Sequence, residues 1–187
     1  MTCSFAISIM MFLSFQVMVV FLNQGMPALS PSAADVSITM GNTLLDKSLV
    51  EQISKVEGVG KAFGRMEMPE LSVSSDMVEG TVTLISYDDN QFRWAKEELN
   101  EGSITPVMEN TDNVLVTYQD GVDWKPGNTV VLHTASGDKQ VTIAGVLATA
   151  TASTVSGAGS SGYMICSEQA FAALVGDLGY TTVDVQF

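Results

Sequence analysis

The sequence predicts an α+β fold in which an N-terminal transmembrane helix precedes a domain of two lobes. Three observations lead to this prediction. The first 34 of the 187 residues contain no Asp, Glu, Lys or Arg, and all 29 charged residues follow them. From Asp35 to Gly102, strand-like alternation of apolar residues is interleaved with helical spacing, which predicts a βαβ lobe. After Asn110, short alternating strands dominate, which predicts a β-rich lobe.

The N-terminal segment is apolar on all sides. The stretch from Phe5 to Leu22 has 18 residues, and as a helix it would rise about 27 Å, close to the roughly 30 Å of a bilayer core. A secretory signal would need a positive first region and a shorter apolar core, and a buried helix would need a larger domain around it. We therefore predict a transmembrane helix at residues 1–24 and a proline-containing linker at residues 25–34.

The predicted domain covers residues 35–187. In its first lobe, the ends of several elements are marked by glycines and a proline. Thr43 is a candidate helix N-cap, and Gly58, Pro69 and Gly102 are predicted to end elements because they interrupt regular backbone. The predicted strands are 35–40, 59–68 and 79–87, and the predicted helices are 44–57 and 90–101.

The second lobe is predicted mainly over residues 113–148, with a turn at Trp124–Asn128 and a hairpin turn at Ala135–Lys139. Residues 148–162 are almost all small or polar, which predicts an exposed loop. A short strand, a helix capped by Ser167 and a closing strand at 182–187 complete the domain.

Two glycine-containing motifs resemble the sequence patterns of phosphate-binding loops, but neither meets all the requirements of its pattern. Gly157–Gly162 fits the dinucleotide pattern G-x-G-x-x-G, yet a strand is predicted after it where the pattern requires a helix N-terminus. Gly58-Val-Gly-Lys-Ala lacks the first glycine of a P-loop and has Ala62 where a Ser or Thr would bind magnesium. We therefore predict that the chain binds no nucleotide and is not itself an ATPase.

One histidine and two cysteines exclude the usual zinc spacings. His133 lies in an alternating strand with no nucleophile marked nearby, so we favour a solvated or hydrogen-bonded histidine over a member of a Ser–His–Asp triad. We interpret Cys166 as a small buried apolar residue. A disulfide to Cys3 is disfavoured because it would join the membrane segment to the domain.

The charge balance excludes other functions. A net charge of −13 argues against nucleic-acid binding, which needs basic groups to neutralise phosphates. Seven acidic residues and no basic residue lie between Lys96 and Lys125, and the sequence has no D-x-D-x-D-G calcium loop, so a solvated acidic face is predicted. The sequence thus predicts no catalytic, cofactor-binding or metal-binding residue, and no cofactor.

The order of several short motifs carries a resemblance to a known family. Behind the uncharged helix follow Asp35-Val-Ser-Ile, Ile53-Ser-Lys-Val-Glu-Gly-Val, Leu84-Ile-Ser-Tyr-Asp, Leu99-Asn-Glu-Gly, Trp124-Lys-Pro-Gly-Asn-Thr-Val-Val-Leu and Val141-Thr-Ile-Ala-Gly-Val-Leu. Together they resemble the extracytoplasmic (periplasmic core) domain of MacB/FtsX-type ABC transporter permeases, with its first transmembrane helix. The resemblance covers nearly all of the chain.

The resemblance implies a non-catalytic domain inserted between the first membrane helix and later ones, with a porter-like βαβ lobe. It implies that ATP hydrolysis by a separate or fused ATPase subunit drives movements that reach an exported substrate or an envelope partner. It also implies a second permease subunit in a dimer, and a cell-membrane location with residues from about 25 onward outside the cytoplasm. The absence of further membrane helices, and of a basic stretch before the first, fits a truncated reading frame.

Two other functions compete with this one. The chain could be a stand-alone membrane-anchored or secreted binding or adhesion domain. An enzyme is disfavoured because the sequence shows no convergent set of reactive residues. Membrane helices encoded directly downstream, with an ATPase gene beside them, would distinguish the permease from the stand-alone domain.

Overall fold

The computed structural model describes residues 34–41, 43–76, 79–94, 99–117, 123–147 and 162–187. The transmembrane helix predicted at residues 1–24 lies outside these ranges, as do nearly all of the linker and of the loop predicted at 148–162. Among the residues within these ranges, no helix combines the length and apolar character needed to cross a bilayer.

The described ranges contain far more strand than helix. The strands are β1 (Val36–Thr39), β2 (Lys61–Arg65), β3 (Glu67–Ser74), β4 (Glu79–Tyr87), β5 (Leu99–Gly102), β6 (Asn113–Thr117), β7 (Thr129–Thr134), β8 (Gly137–Leu147), β9 (Tyr163–Ser167) and β10 (Thr182–Gln186). The helices are α1 (Ser48–Ile53), α2 (Asp89–Trp94), α3 (Thr105–Glu109) and α4 (Glu168–Val175). The predicted α+β class is therefore confirmed.

A three-stranded sheet, which we call the small sheet, joins the two ends of the described chain in the order β1-β10-β2. Because β1 and β2 both run antiparallel to β10, they are parallel to each other, and α1 lies in the connection between them. Buried Leu45, Val183 and Val185 form its core, against which α1 packs Leu49 and Ile53. This is the predicted βαβ unit, with a strand from the far end of the sequence inserted into it.

The other strands form a sheet in the order β5-β8-β6-β9-β4-β3-β7, in which β7 also pairs with β8. That extra pairing closes six strands into what we call the ring: β8, β6, β9, β4, β3 and β7. Each contributes two alternate residues to one buried cluster: Leu71, Val73, Val82, Leu84, Val114, Val116, Val130, Leu132, Val141, Ile143, Met164 and Cys166. Since side chains alternate along a strand, this cluster fills the inside of the ring.

Part of the outer face of the ring is also buried. Ile85 and Tyr87 of β4 and Ile165 of β9 pack beneath Phe92 of α2 and Val107 of α3. Strands covered on both faces lose the apolar–polar alternation of half-exposed strands. Residues 82–87 are accordingly buried without interruption.

The strand predicted at 79–87 was assigned to the wrong lobe. It is β4, which pairs with β3 and β9 inside the ring, whereas the small sheet takes β10 as its third strand. Periodicity shows that a segment is a strand but carries no information about its distant partner.

The two helices predicted for the first lobe were too long. The segment 90–101 contains α2 and, at Leu99–Gly102, strand β5, which pairs with β8. The segment 44–57 contains α1 of only six residues, because Leu45 is held in a bridge to Tyr180 and Thr43 in one to Met40. Tertiary pairing overrides helical spacing at these ends.

The single strand predicted at 59–68 is two strands in different sheets: β2 ends at Arg65, and β3 begins at Glu67 and continues through Pro69. Met68 pairs with Leu84 while Leu71 pairs with Val82, so β3 carries one more residue than β4 over this stretch. The extra residue makes a bulge, which accommodates a proline that cannot donate to the ladder. Glu70 takes the positive φ of 54° at this position.

Candidate functional site

The first candidate site is the place where the two ends of the described chain lie side by side. Four pairs, from Val36↔Val185 to Thr39↔Thr182, join β1 to β10. The Asp35 N–H donates to the Val185 carbonyl at 2.9 Å, and the Phe187 N–H donates to the Asp35 carboxylate at 2.9 Å. Chain segments attached before residue 34 and after residue 187 would therefore leave the domain from one point.

A buried ionic group links this point to the ring. Arg65, at the end of β2, has its Nε 2.7 Å from Glu67 Oε1 and its Nη1 3.4 Å from Asp184 Oδ2. The Ser37 hydroxyl of β1 donates to the other Asp184 oxygen at 2.5 Å. Burial by itself lowers the pKa of Arg65, but the charges of Asp184 and Glu67 together raise it, so the guanidinium stays charged.

The ionic group is continuous with the backbone of the ring. Met66 lies between β2 and β3, and its N–H donates to the Ser86 hydroxyl of β4 at 2.9 Å, while the Ser86 N–H donates to the Met66 carbonyl at 2.9 Å. All three strands of the small sheet are thus connected to β3 and β4 through adjacent ion pairs and hydrogen bonds.

A second polar cluster joins the small sheet to α4, the helix whose Phe171 packs in the core of the ring. Lys47, just before α1, has its Nζ 2.6 Å from Asp177 Oδ1 and 3.3 Å from Glu168 Oε1. The Tyr180 hydroxyl donates to the same Glu168 oxygen at 3.0 Å, and the lysine lies 5.5 Å from the centre of its ring. Burial and the Glu168 charge raise the pKa of Tyr180, which keeps its hydroxyl a donor.

A cleft of about 390 Å³ lies where the small sheet faces α2, at the end of α1 and along β2. Its described lining is Ser54, Lys61, Ala62, Phe63, Asn90 and Arg93. Two of the eight basic residues of this acidic chain are among them.

The single histidine is hydrogen-bonded through both ring nitrogens. His133 Nε2 lies 2.8 Å from the Ser74 hydroxyl oxygen, and Nδ1 lies 2.8 Å from Asp138 Oδ1. His133 is hydrogen-bonded in a strand, as predicted, but its two partners are the serine and the aspartate of the arrangement that the sequence disfavoured, and Ser74 and Asp138 were missed. The hairpin was predicted with a turn at Ala135–Lys139, which contains Asp138. The observed turn has two residues, Ala135 and Ser136, and this places Asp138 opposite His133. No local signal indicates Ser74, which lies on β3.

The glycine motifs have different outcomes. Residues 157–161 of the Gly157–Gly162 motif lie outside the described residues, so that prediction remains a prediction. Residues 58–62 follow α1, which ends at Ile53, and lead into β2, with Lys61 as the first residue of the strand. A P-loop runs from a strand into a helix, so this segment has the reverse order.

Cys166 is buried, as predicted; it lies inside the ring, and burial raises the pKa of its thiol. Of the predicted acidic face, Glu101, Glu109, Asp112 and Asp123 are exposed. Among residues covered by the structure, no three His, Cys, Asp or Glu side chains are grouped so as to hold a metal ion.

The fold is of a class found in transport systems: it is similar to extracytoplasmic domains of MacB- and YknZ-type ABC transporter permeases. The extracellular domain of the ABC-type transporter YknZ from Gram-positive bacteria superposes with a TM-score of 0.56 at 13% identity, over 76% of this chain and 73% of that one. The periplasmic region of MacB from Actinobacillus actinomycetemcomitans gives 0.55 at 12% identity, over 78% and 66%.

A domain of a permease protein from Porphyromonas gingivalis gives a TM-score of 0.54 at 14% identity, over 77% of this chain and 63% of that domain. At these identities the likeness is one of fold. The chain spans just under two thirds of the MacB region and of the Porphyromonas domain. No protein-family model and no curated protein sequence matches the chain.

Proposed function

We propose that the chain is the extracytoplasmic part of an ABC transporter permease, and that its part in transport is to transmit movement, without a catalytic step in that process. Its partners would be an ATPase subunit that hydrolyses ATP, a second permease subunit in a dimer, and an exported substrate or envelope protein. It would lie at the cell membrane, anchored by the helix of residues 1–24, with residues from about 25 onward outside the cytoplasm. The fold it shares with YknZ and MacB domains supports this role.

The meeting of β1 and β10 is the observation on which the mechanical role rests. A domain inserted between two membrane helices receives movement through both of its connections. In this fold both connections would enter the same small sheet, on strands joined by four residue pairs. A displacement of the membrane helices would therefore act on one rigid unit.

The contacts between the small sheet and the ring would carry that movement outward. Arg65 and Asp184 are almost fully buried, with 6% and 0% of their side chains exposed, and buried charges hold their geometry only while paired. Lys47 adds a second connection, to Glu168 and Asp177. Two connections at separate points would resist rotation of the small sheet against the ring.

The test is to loosen the attachment in the whole permease, expressed with its ATPase subunit. Inserting about ten Gly and Ser residues between Asn23 and Asp35 adds an r.m.s. reach of roughly 17 Å. We expect loss of substrate export or of partner activation, while the ATPase subunit still binds and the domain remains folded.

The matched control places the same insert between Ala135 and Ser136, in the exposed β7–β8 turn. It should leave export near the wild-type level, because surface turns tolerate insertions and this one is distant in sequence from both attachments. Undiminished export with the insert at residues 23–35 would refute transmission. It would favour the stand-alone binding or adhesion domain instead.

A further inference from the structure

The outer face of the ring carries a serine, a histidine and an aspartate in one hydrogen-bonded row across β3, β7 and β8. Ser74 Oγ is 2.8 Å from His133 Nε2, and His133 Nδ1 is 2.8 Å from Asp138 Oδ1. This is the order of contacts that a nucleophile, its general base and the group that orients the base require.

The chemistry of the partners fixes the proton positions. An ionised carboxylate only accepts hydrogen bonds, so the proton of the neutral imidazole lies on Nδ1 and is donated to Asp138. Nε2 then carries a lone pair, and the Ser74 hydroxyl donates to it. The serine proton is therefore already directed at the base that would remove it.

The row is held by backbone pairing rather than by long side chains. His133 lies directly opposite Asp138 on β8 and opposite Ser72 on β3, and Ser74 is the next residue on the same face of β3. Three pairs join β3 to β7 and six join β7 to β8. This register fixes the distances between the three residues without a loop.

We propose that Ser74 is an activated nucleophile that accepts acyl groups from carboxylic esters with good leaving groups. Ser74 Oγ attacks the carbonyl carbon as its proton passes to His133 Nε2. The ester C–O bond then breaks and the proton leaves with the alcohol. Water, deprotonated by His133 Nε2, then attacks the acyl carbon; the bond from that carbon to Ser74 Oγ breaks, the carboxylic acid is released, and the proton on His133 returns to Ser74 Oγ.

The limit to activated esters follows from the position of Ser74. It pairs with Glu79 on one side and Val131 on the other, so its own N–H lies within the ladders instead of on a turn, where it could stabilise a developing oxyanion. The His133 and Asp138 side chains are 42% and 70% exposed, so solvent weakens their interaction. The rate gain therefore rests mainly on the base, for which about 10²-fold is the lower end of the usual range.

The experiment uses the whole 187-residue chain and p-nitrophenyl acetate, with acetylated residues located by mass spectrometry at early times. Ser72 is the internal control because it lies on the same face and opposite His133, without a hydrogen bond in the row. Ser74 should be acetylated roughly 10² times faster than Ser72 in the same sample. Equal rates, or acetylation confined to His133 and lysines, would overturn the proposal.

Variants separate the roles in the row. His133→Gln should reduce acetylation of Ser74 to the rate of Ser72, and a Ser74 rate unchanged in that variant would also overturn the proposal. Asp138→Asn should cause a smaller drop. As the chain has one histidine, its ring ¹⁵N signals are unambiguous: they should show the Nδ1–H form in the wild type and a mixture in Asp138→Asn. These measurements do not depend on the transport role.

Discussion

Replacing Asp184 by alanine should be among the most damaging single changes in the small sheet. Its side chain is fully buried, and it accepts from Ser37 on β1 and lies 3.4 Å from Arg65 on β2. The alanine variant leaves the Arg65 guanidinium, itself only 6% exposed, without one of its two carboxylates. Removing one partner of a buried ion pair costs about 3–5 kcal/mol.

The lower end of that range applies here. Glu67 remains 2.7 Å from Arg65 Nε and retains part of the compensation, which points to about 3 kcal/mol. For a domain of this size, 1 kcal/mol shifts Tm by about 2–4 °C, so we expect Tm to fall by about 6–12 °C.

Thermal unfolding followed by circular dichroism measures the loss, and two comparisons test its cause. Asp184→Leu combined with Arg65→Met and Glu67→Gln removes all three charges of the buried group and should recover most of the stability, because apolar replacement of buried ion pairs is often neutral. Lys125→Ala breaks an exposed pair, Lys125–Asp123, and should leave Tm unchanged. A Tm for Asp184→Ala within about 2 °C of the wild type would refute the reasoning.

Two further changes test the packing and the electrostatics. Gly64→Ala places a Cβ against the Tyr180 ring, so it should destabilise the domain by about 1–3 kcal/mol in denaturant unfolding, with a smaller effect in a Tyr180→Ala background. Burial raises the pKa of Asp88 above its usual 3.8, so ionised Asp88 weakens the fold once the pH is above that raised pKa. In Asp88→Asn the amide oxygen can still cap α2 by accepting from the Gln91 N–H. This variant should raise Tm at pH 7, and the gain should vanish below about pH 4, where Asp88 is protonated in the unfolded chain as well. Equal gains in Tm at both pH values would contradict this reasoning.

The sequence predicted correctly those elements that are stabilised by contacts between residues close together in the chain. Ser167 caps α4 by accepting from the Ala170 N–H at 3.1 Å, as expected of a serine before a helix. The hairpin predicted with a turn at Ala135–Lys139 does join β7 to β8, but its turn is only Ala135 and Ser136, since Gly137 already pairs with Thr134. In both cases the stabilising partner lies close in sequence, so the pattern contains the information.

Partners distant in sequence were not predictable in the same way. Nothing near Thr182–Gln186 indicates that this strand lies between β1 and β2, more than 100 residues earlier. Ser74 and His133 are 59 residues apart and meet only because β3 pairs with β7. Lys47 meets Glu168 over a separation of 121 residues. Such pairings are selected by the total burial of the folded chain, which no single segment encodes.

The side-by-side ends of the small sheet have a consequence for the direction of force. The first residue pair of β1 and β10, Val36↔Val185, lies at the end where both strands leave the domain. A force that separated residue 35 from residue 187 would break the residue pairs between β1 and β10 one after another. Because only one pair would bear the load at a time, the force needed would be small. A push or rotation applied to both together would strain no single pair and would pass undivided into β2 and the ring. The small sheet is therefore stiff towards joint displacement of residues 35 and 187 and compliant towards their separation.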